Sequence, residues 1–321
     1  MESRHRGACA VVDANGALVQ GIGDVDRLVF PRSAIKPVQA LPLIETGAAD
    51  HFALSDTELA LACASHNGEA VQVAAVQAWL TRMGLSVADL ACGIHPSLQP
   101  DIALALAANG TPLGRAHNNC SGKHTGFLAT ALHLDESLVG YEKARHPVQQ
   151  RIKAVMEDLS GVALGNEACG VDGCGIPACA MPLRALALAM ARMAGASDLT
   201  ASRQAAARRI VQAMANNPLY VAGSGRSDTR IMAACGGRLA TKIGAEGVHV
   251  AILPERQWGI ALKIDDGTTR ASDCAMANVL DQLGMLGEAA RKDLADLLVK
   301  PLINTLGEAV GEIRPAPGLS F

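Results

Sequence analysis

The sequence predicts an α+β protein in which both chain ends feed one antiparallel sheet and the middle of the chain is mainly helical. Three observations lead there. Short strand patterns open and close the chain, helical patterns fill the interval, and no Ser/Pro linker or change of composition separates them. The 321 residues are 50% hydrophobic and 18% charged, enough for a sizeable core as one large domain or two intimate lobes. Residues 1–40 with 220–321 are expected to form a sheet-containing α/β lobe, and 41–219 a mainly helical lobe. A cleft between them is the expected ligand site.

Each element has a local reason. Ala8 to Asp13 and Ala17 to Gly21 flank Asn15-Gly16, a hairpin turn pair. Arg27 to Pro31 extends toward a helix start at Ser33. Leu59 to Arg82 is rich in Ala, Leu and Val and reads as helix, broken near Asn67-Gly68. Asp101 to Asn109, Gly122 to Leu134, His146 to Leu159, Pro182 to Ala194 and Ser202 to Asn216 read as further helices. Arg238 to Ile243, Val248 to Leu253 and Gly259 to Ile264 are short apolar runs punctuated by Gly, Glu and Pro, and read as strands. Helices over Ala271 to Leu283 and Gly287 to Leu298 follow.

Composition removes several function classes. Low charge and high apolar content exclude a disordered chain. A net charge of −3 leaves no basic footprint for nucleic acid. No uncharged stretch reaches the roughly 18–20 apolar residues of a membrane span. The start shows no signal peptide, and the nine cysteines are an odd count. Both point to reduced thiols and a cytoplasmic location. Each cysteine is by default a small buried hydrophobe.

Six segments could carry chemistry. In Ser33-Ala34-Ile35-Lys36, positions i and i+3 share a helix face, so Ser33 Oγ and Lys36 Nζ can meet. A serine hydroxyl needs a base to become a nucleophile. Lysine serves only when neutral, which requires its reference pKa of about 10.4 to fall by roughly three units. A helix cap with an exposed lysine is the plainer reading of the same residues. Cys63-Ala64-Ser65-His66-Asn67-Gly68 runs from a small apolar helix into a polar turn and can place Ser65 at a cleft; taken alone, a solvated helix end is the favoured reading. His117 to His124 is dense in reactive groups. Its Gly122-Lys123 pair resembles a phosphate loop, but the Walker spacing needs glycine where His117 stands. Helix capping accounts for Asn118, Asn119 and Ser121, and leaves Cys120, Lys123 and His124 unexplained.

Asp172-Gly173-Cys174-Gly175-Ile176-Pro177 is a rigid loop presenting Asp172 and Cys174. No Cys-x-x-Cys pair exists, so an ordinary structural zinc site is not expected, while a mixed site drawing on Cys120 and Cys174 remains open. Lys242, followed by Gly244 at a strand end, can lie beside the Ser33 helix; Lys263 is a rival. Arg226, in Gly223-Ser224-Gly225-Arg226, can clamp a carboxylate or sit in a surface loop. Only eight of the 28 basic residues are lysine, so each motif lysine is informative.

Taken in order, Arg32-Ser33-Ala34-Ile35-Lys36-Pro37, Cys63-Ala64-Ser65-His66, Asn119-Cys120-Ser121-Gly122-Lys123-His124, Asp172-Gly173-Cys174 and Lys242-Ile243-Gly244-Ala245 resemble the rhizobial-type L-asparaginase family. Five such motifs in sequence are specific where one is not. The resemblance implies a fold like that of serine β-lactamases and penicillin-binding proteins. It implies two Ser–Lys pairs, Ser33 with Lys36 and Ser65 with Lys242, and a zinc site on Cys120, Lys123 and Cys174 that supports substrate binding. Lysine must bind zinc deprotonated, so that metal should weaken at low pH.

The expected reaction is hydrolysis of L-asparagine to L-aspartate and ammonia. Ser33 would attack with Lys36 as base, Ser65 and Lys242 would relay protons, and amides at the Ser33 helix start would hold the oxyanion. Asp172, Arg226 and His66 are the expected substrate contacts, and the family suggests a homodimer. A glutaminase, a penicillin-recognising acylase and an inactive zinc-binding protein are the alternatives. The incomplete Lys-Thr-Gly pattern at Lys242-Ile243-Gly244 weighs against the acylase.

Overall fold

The computed structural model describes residues 1–317. Residues 318–321, which close the expected sheet lobe, lie outside the described residues.

The two chain ends meet in one five-stranded antiparallel sheet, as the sequence predicts. Its spatial order is Leu18–Ile22, Gly7–Asp13, Trp258–Ile264, Val248–Leu253, Ala240–Ile243. The N-terminal hairpin joins the C-terminal strands along a full register, from Gly7 opposite Ile264 to Asp13 opposite Trp258. Every residue of Val248–Leu253 is buried, so this strand is covered on both faces. The helix Leu183–Gly195 packs on three of the strands, and Thr269–Gln282 packs on two of them. Each Val, Leu or Ile so buried contributes about 1.5–3 kcal/mol over an exposed one. Leu183–Gly195, placed by sequence in the helical middle, is thus also a cover for the sheet.

The long helical reading from Leu59 to Arg82 resolves into Asp56–Ala62 and Ala70–Arg82, with Cys63 to Glu69 irregular between them. Ser55 and Glu58 close a reciprocal capping box that fixes where the first begins. The expected helix over Gly287 to Leu298 is two short pieces, Glu288–Asp293 and Ala295–Leu298. Two hairpins went unread. Cys169–Val171 pairs with Pro177–Cys179, and Lys300–Ile303 pairs with Ala309–Ile313.

The first of these hairpins corrects the expectation of nine free thiols. Cys169 and Cys179 face each other across its stem and are joined by a disulfide. The other seven cysteines are free and buried, as expected.

Candidate active site

The Ser33 segment is a tight 3-10 turn over Arg32–Ile35 that runs into the helix Lys36–Gln39. Ser33 therefore does not cap a helix: Pro31 stands at the cap position, and no side chain caps it. The Ala34 amide already donates to Pro31 O at 3.1 Å, so it is not a free oxyanion donor in this arrangement. Arg32 sits at φ 52, the left-handed region that costs a non-glycine residue about 1–3 kcal/mol. It is held there by Asp172, whose Oδ1 accepts from Arg32 Nε at 2.8 Å and lies 2.7 Å from Nη2. Ser33 itself is half-buried.

Lys36, three residues on, is 1% exposed. Its Nζ donates to Ser65 Oγ at 2.9 Å, to Cys120 Sγ at 3.2 Å and to Ala64 O. Among the described residues no side-chain hydrogen bond joins Lys36 to Ser33; the serine it holds directly is Ser65. The Ser65 segment is pinned from both sides, by Ser65 N–H to Val221 O at 2.9 Å and His66 N–H to Asn119 O at 3.2 Å.

His66 turns inward. Its Nδ1 accepts from Gly68 N–H at 3.0 Å, which leaves Nε2 to donate to Ser121 Oγ at 2.9 Å. Ser121 Oγ in turn donates to Ala116 O at 2.9 Å. Burial, with Lys36 and His117 nearby, pushes the imidazole down to about 3. Neutral and with both nitrogens engaged, His66 has no atom left for a substrate and serves the framework.

Lys242 reaches the same region from the edge strand Ala240–Ile243. Gly244 explains how. A Cβ there would lie 2.6 Å from Pro31 O and 3.1 Å from Ala34 N, so only glycine lets this strand pass so close to the Ser33 turn. Lys242 Nζ donates to Ile243 O at 2.8 Å and lies 3.7 Å from Asp228 Oδ2. Burial pushes Lys242 down to about 7, aided by the charges of Lys36 and Arg226 and opposed by Asp228. Asp228 was missed in the sequence because it follows a loop that reads as surface. It is fully buried, and it accepts from Ile243 N–H and His249 Nε2, each at 2.9 Å. The available signal was His249, a lone imidazole inside the apolar run Val248–Leu253.

Cys120, Lys123 and Cys174 come together. Lys123 Nζ donates to Cys174 Sγ at 2.9 Å, and Cys120 Sγ accepts from Lys36 Nζ at 3.2 Å and donates to Asn119 Oδ1 at 2.9 Å. The two cysteines shift in opposite directions: the neighbouring Cys174, with Lys123 and Lys36, pulls Cys120 well below the ordinary thiol value against burial, while the proximity of Cys120 and burial push Cys174 up. Burial acts to lower Lys123, but the two cysteines outweigh it and raise the amine. The helix Ser121–His133 is set by Gly122, where a Cβ would stand 2.3 Å from Leu61 O. Among the described residues no cluster of three His, Cys, Asp or Glu side chains is arranged to hold a metal. A metal here therefore needs the lysine amine as third donor. Two sulfurs and one nitrogen are a set suited to zinc, once Lys123 has given up its proton.

Arg226 is half-buried, with Nη1 donating to Asn67 Oδ1 at 3.3 Å. Asp172 lies on the disulfide-closed hairpin. Burial acts to raise its carboxyl, but Lys123 and Arg32 hold it below the usual carboxylate range. Three lysines, two serines, two thiols and an Arg–Asp pair thus converge from five separated stretches of chain.

The L-asparaginase II family model matches residues 1–315, and the chain belongs to that family of amidohydrolases. No curated protein matches the chain in sequence. Among solved structures it is similar to a beta-lactamase from Mycobacterium bovis, at 16% identity and a TM-score of 0.41, covering 91% of this chain and 94% of that one. It is also similar to the D-alanine carboxypeptidase AmpC of Burkholderia cenocepacia, at 12% identity and a TM-score of 0.41, covering 91% and 93%. Likeness at this level carries nothing about substrate.

Proposed function

We propose that the protein hydrolyses L-asparagine to L-aspartate and ammonia through a serine nucleophile served by buried lysines. The observation that carries this reading is Lys36, buried at the head of the Ser33 turn with its amine on Ser65 Oγ. Ser33 is the more exposed serine and takes the role of nucleophile. It attacks the side-chain amide carbon. Its proton passes through Ser65 to Lys36 in the neutral form of the amine, and Lys36 returns that proton to the leaving nitrogen as ammonia departs, leaving a β-acyl-enzyme that water cleaves. Lys242, lowered to about 7, exchanges protons near neutral pH. Arg226 is the proposed partner of the α-carboxylate and Asp172 of the α-ammonium.

Zinc fits Cys120, Lys123 and Cys174 by donor chemistry, and when bound would supply a positive charge that supports substrate binding. We propose a homodimer in the cytoplasm. The test is ammonia release from L-asparagine and L-glutamine, with mass spectrometry of the trapped acyl-enzyme. Ser33→Ala should abolish turnover and leave the fold intact, and the acyl adduct of the active protein should sit on Ser33. An adduct on Ser65 overturns the assignment; turnover of glutamine alone, or of neither amide, overturns the asparaginase reading.

A further inference from the structure

Behind Lys242 lies a buried polar cluster that the reaction as written does not use. Asp228 and His249 are each fully buried. Asp228 comes from the first turn of the helix Ser227–Ala234, and His249 from the strand Val248–Leu253. The carboxylate has both oxygens engaged. Oδ2 accepts from Ile243 N–H at 2.9 Å and lies 3.7 Å from Lys242 Nζ, while Oδ1 accepts from His249 Nε2 at 2.9 Å. Among the described residues His249 Nδ1 has no hydrogen-bond partner, and it lies 4.0 Å from Asp273 Oδ1. Asp273, on the helix Thr269–Gln282, accepts from Ser227 Oγ at 2.7 Å.

A fully buried carboxylate is costly unless it is paired and hydrogen-bonded. A merely structural pin between strand and helix would be met by a neutral amide, which also accepts from Ile243 N–H. A charge at this point is different, because the nearest lysine or arginine nitrogen is Lys242 Nζ at 3.7 Å, with the His249 imidazole nearer still at 2.9 Å. The other charged or titratable groups acting on Lys242 are Lys36, Arg226 and Cys120, and Cys63 lies within range. Lys36 and Arg226 are cations that repel it.

We propose that Asp228 is a positioning residue for Lys242, holding its amine in the site and setting its proton affinity, and that His249 holds Asp228 in place to do so. This inference rests on the proposed role of Lys242 in proton exchange only for its consequence in turnover. Its physical content is separate. Burial and the two cations drive Lys242 toward the neutral form, and Asp228 opposes them. Burial acts to raise the Asp228 carboxyl, but Lys242, His249 and the Ile243 amide hold it well below the usual carboxylate range. The pair therefore sets a balance: without the carboxylate, Lys242 would lose its proton at lower pH.

The experiment reads Lys242 directly. With only eight lysines in the chain, Lys242 can be followed by NMR of protein labelled at lysine Cε, in the full chain and without substrate. In Asp228→Asn the Lys242 midpoint should move down by about one pH unit or more. His249→Leu should move it in the same direction, and His249→Gln, which keeps a donor toward Asp228, should restore it. A folded Asp228→Asn protein with an unmoved Lys242 midpoint overturns the proposal. If Asp228→Asn does not fold, equal midpoints in folded His249→Leu and His249→Gln overturn it. A protein inactive on asparagine that still shows these shifts would overturn the asparaginase reading and leave this one standing.

Discussion

At the scale of single residues, the site works by denying water to charges. Lys36, Lys123 and Lys242 are each almost fully buried, and the surroundings of the last two push them apart. Lys123 faces two sulfurs and is raised, whereas Lys242 is lowered to about 7. Two like groups in one site with different proton affinities can divide the labour of giving and taking protons. The sign for Lys242 is simple: it is protonated below its value and neutral above it. Activity on asparagine should therefore rise from acid toward neutral pH and pass half-maximum near the Lys242 value. A rate that is flat between about pH 5 and 8 would exclude Lys242 from the proton transfers. The residues of that site were legible as motifs, because serine, lysine and cysteine are scarce enough in an apolar chain to be noticed. Their pairing was less legible. Ser33 and Lys36, three residues apart, share a face in an α-helix and in a 3-10 turn alike, but the lysine amine goes to Ser65, a partner 29 residues further along the chain. His66 looked like a substrate contact from its neighbours, and only the fold shows Ser121 and Gly68 consuming both its nitrogens.

At the scale of elements, glycines set the distances. Gly122 lets the helix Ser121–His133 lie against Leu61, and so fixes where Cys120 and Lys123 stand relative to the Ser65 segment. Gly122→Ala would drive a methyl into Leu61 O and should cost about 1–3 kcal/mol. Urea denaturation checks this; an unchanged midpoint and slope would mean that the two helices part at no cost. Strongly patterned elements were readable to within a residue or two at their ends, as with Pro147–Ser160 against a reading of His146 to Leu159. Short ones were not. The hairpin Cys169–Val171 with Pro177–Cys179 has three residues per strand and no alternation to read. The hairpin Lys300–Ile303 with Ala309–Ile313 is largely exposed, so no buried face imposes a period on it.

At the scale of the whole molecule, the sheet ties the first residues to the last third of the chain. Gly7–Asp13 sits between Leu18–Ile22 and Trp258–Ile264, so the strand that begins the fold cannot be satisfied until residue 264 has been made. Contacts of such separation slow folding, because loop closure precedes any gain from pairing. Deleting residues 1–22 would strip Trp258–Ile264 of one neighbour and expose a buried, apolar edge. That protein should fail to reach a folded monomer, as read by circular dichroism and size-exclusion chromatography. A soluble, cooperatively unfolding truncation would show that the remaining three strands stand alone. This union of the ends was legible because strand patterns occurred only there. The depth of the helix Leu183–Gly195 against the sheet was not, since an Ala- and Leu-rich helix reads the same wherever it packs.

The cross-link between Cys169 and Cys179 closes the stem of the loop that carries Asp172 and Cys174. Through Asp172 it also steadies Arg32, the strained residue beside Ser33. Whether that stem is clamped therefore depends on the medium in which the protein is kept. A preparation made with a thiol reductant and one made without it hold different forms of the same loop. Rates measured on the two are properties of distinct species, and a mixed sample would show both at once.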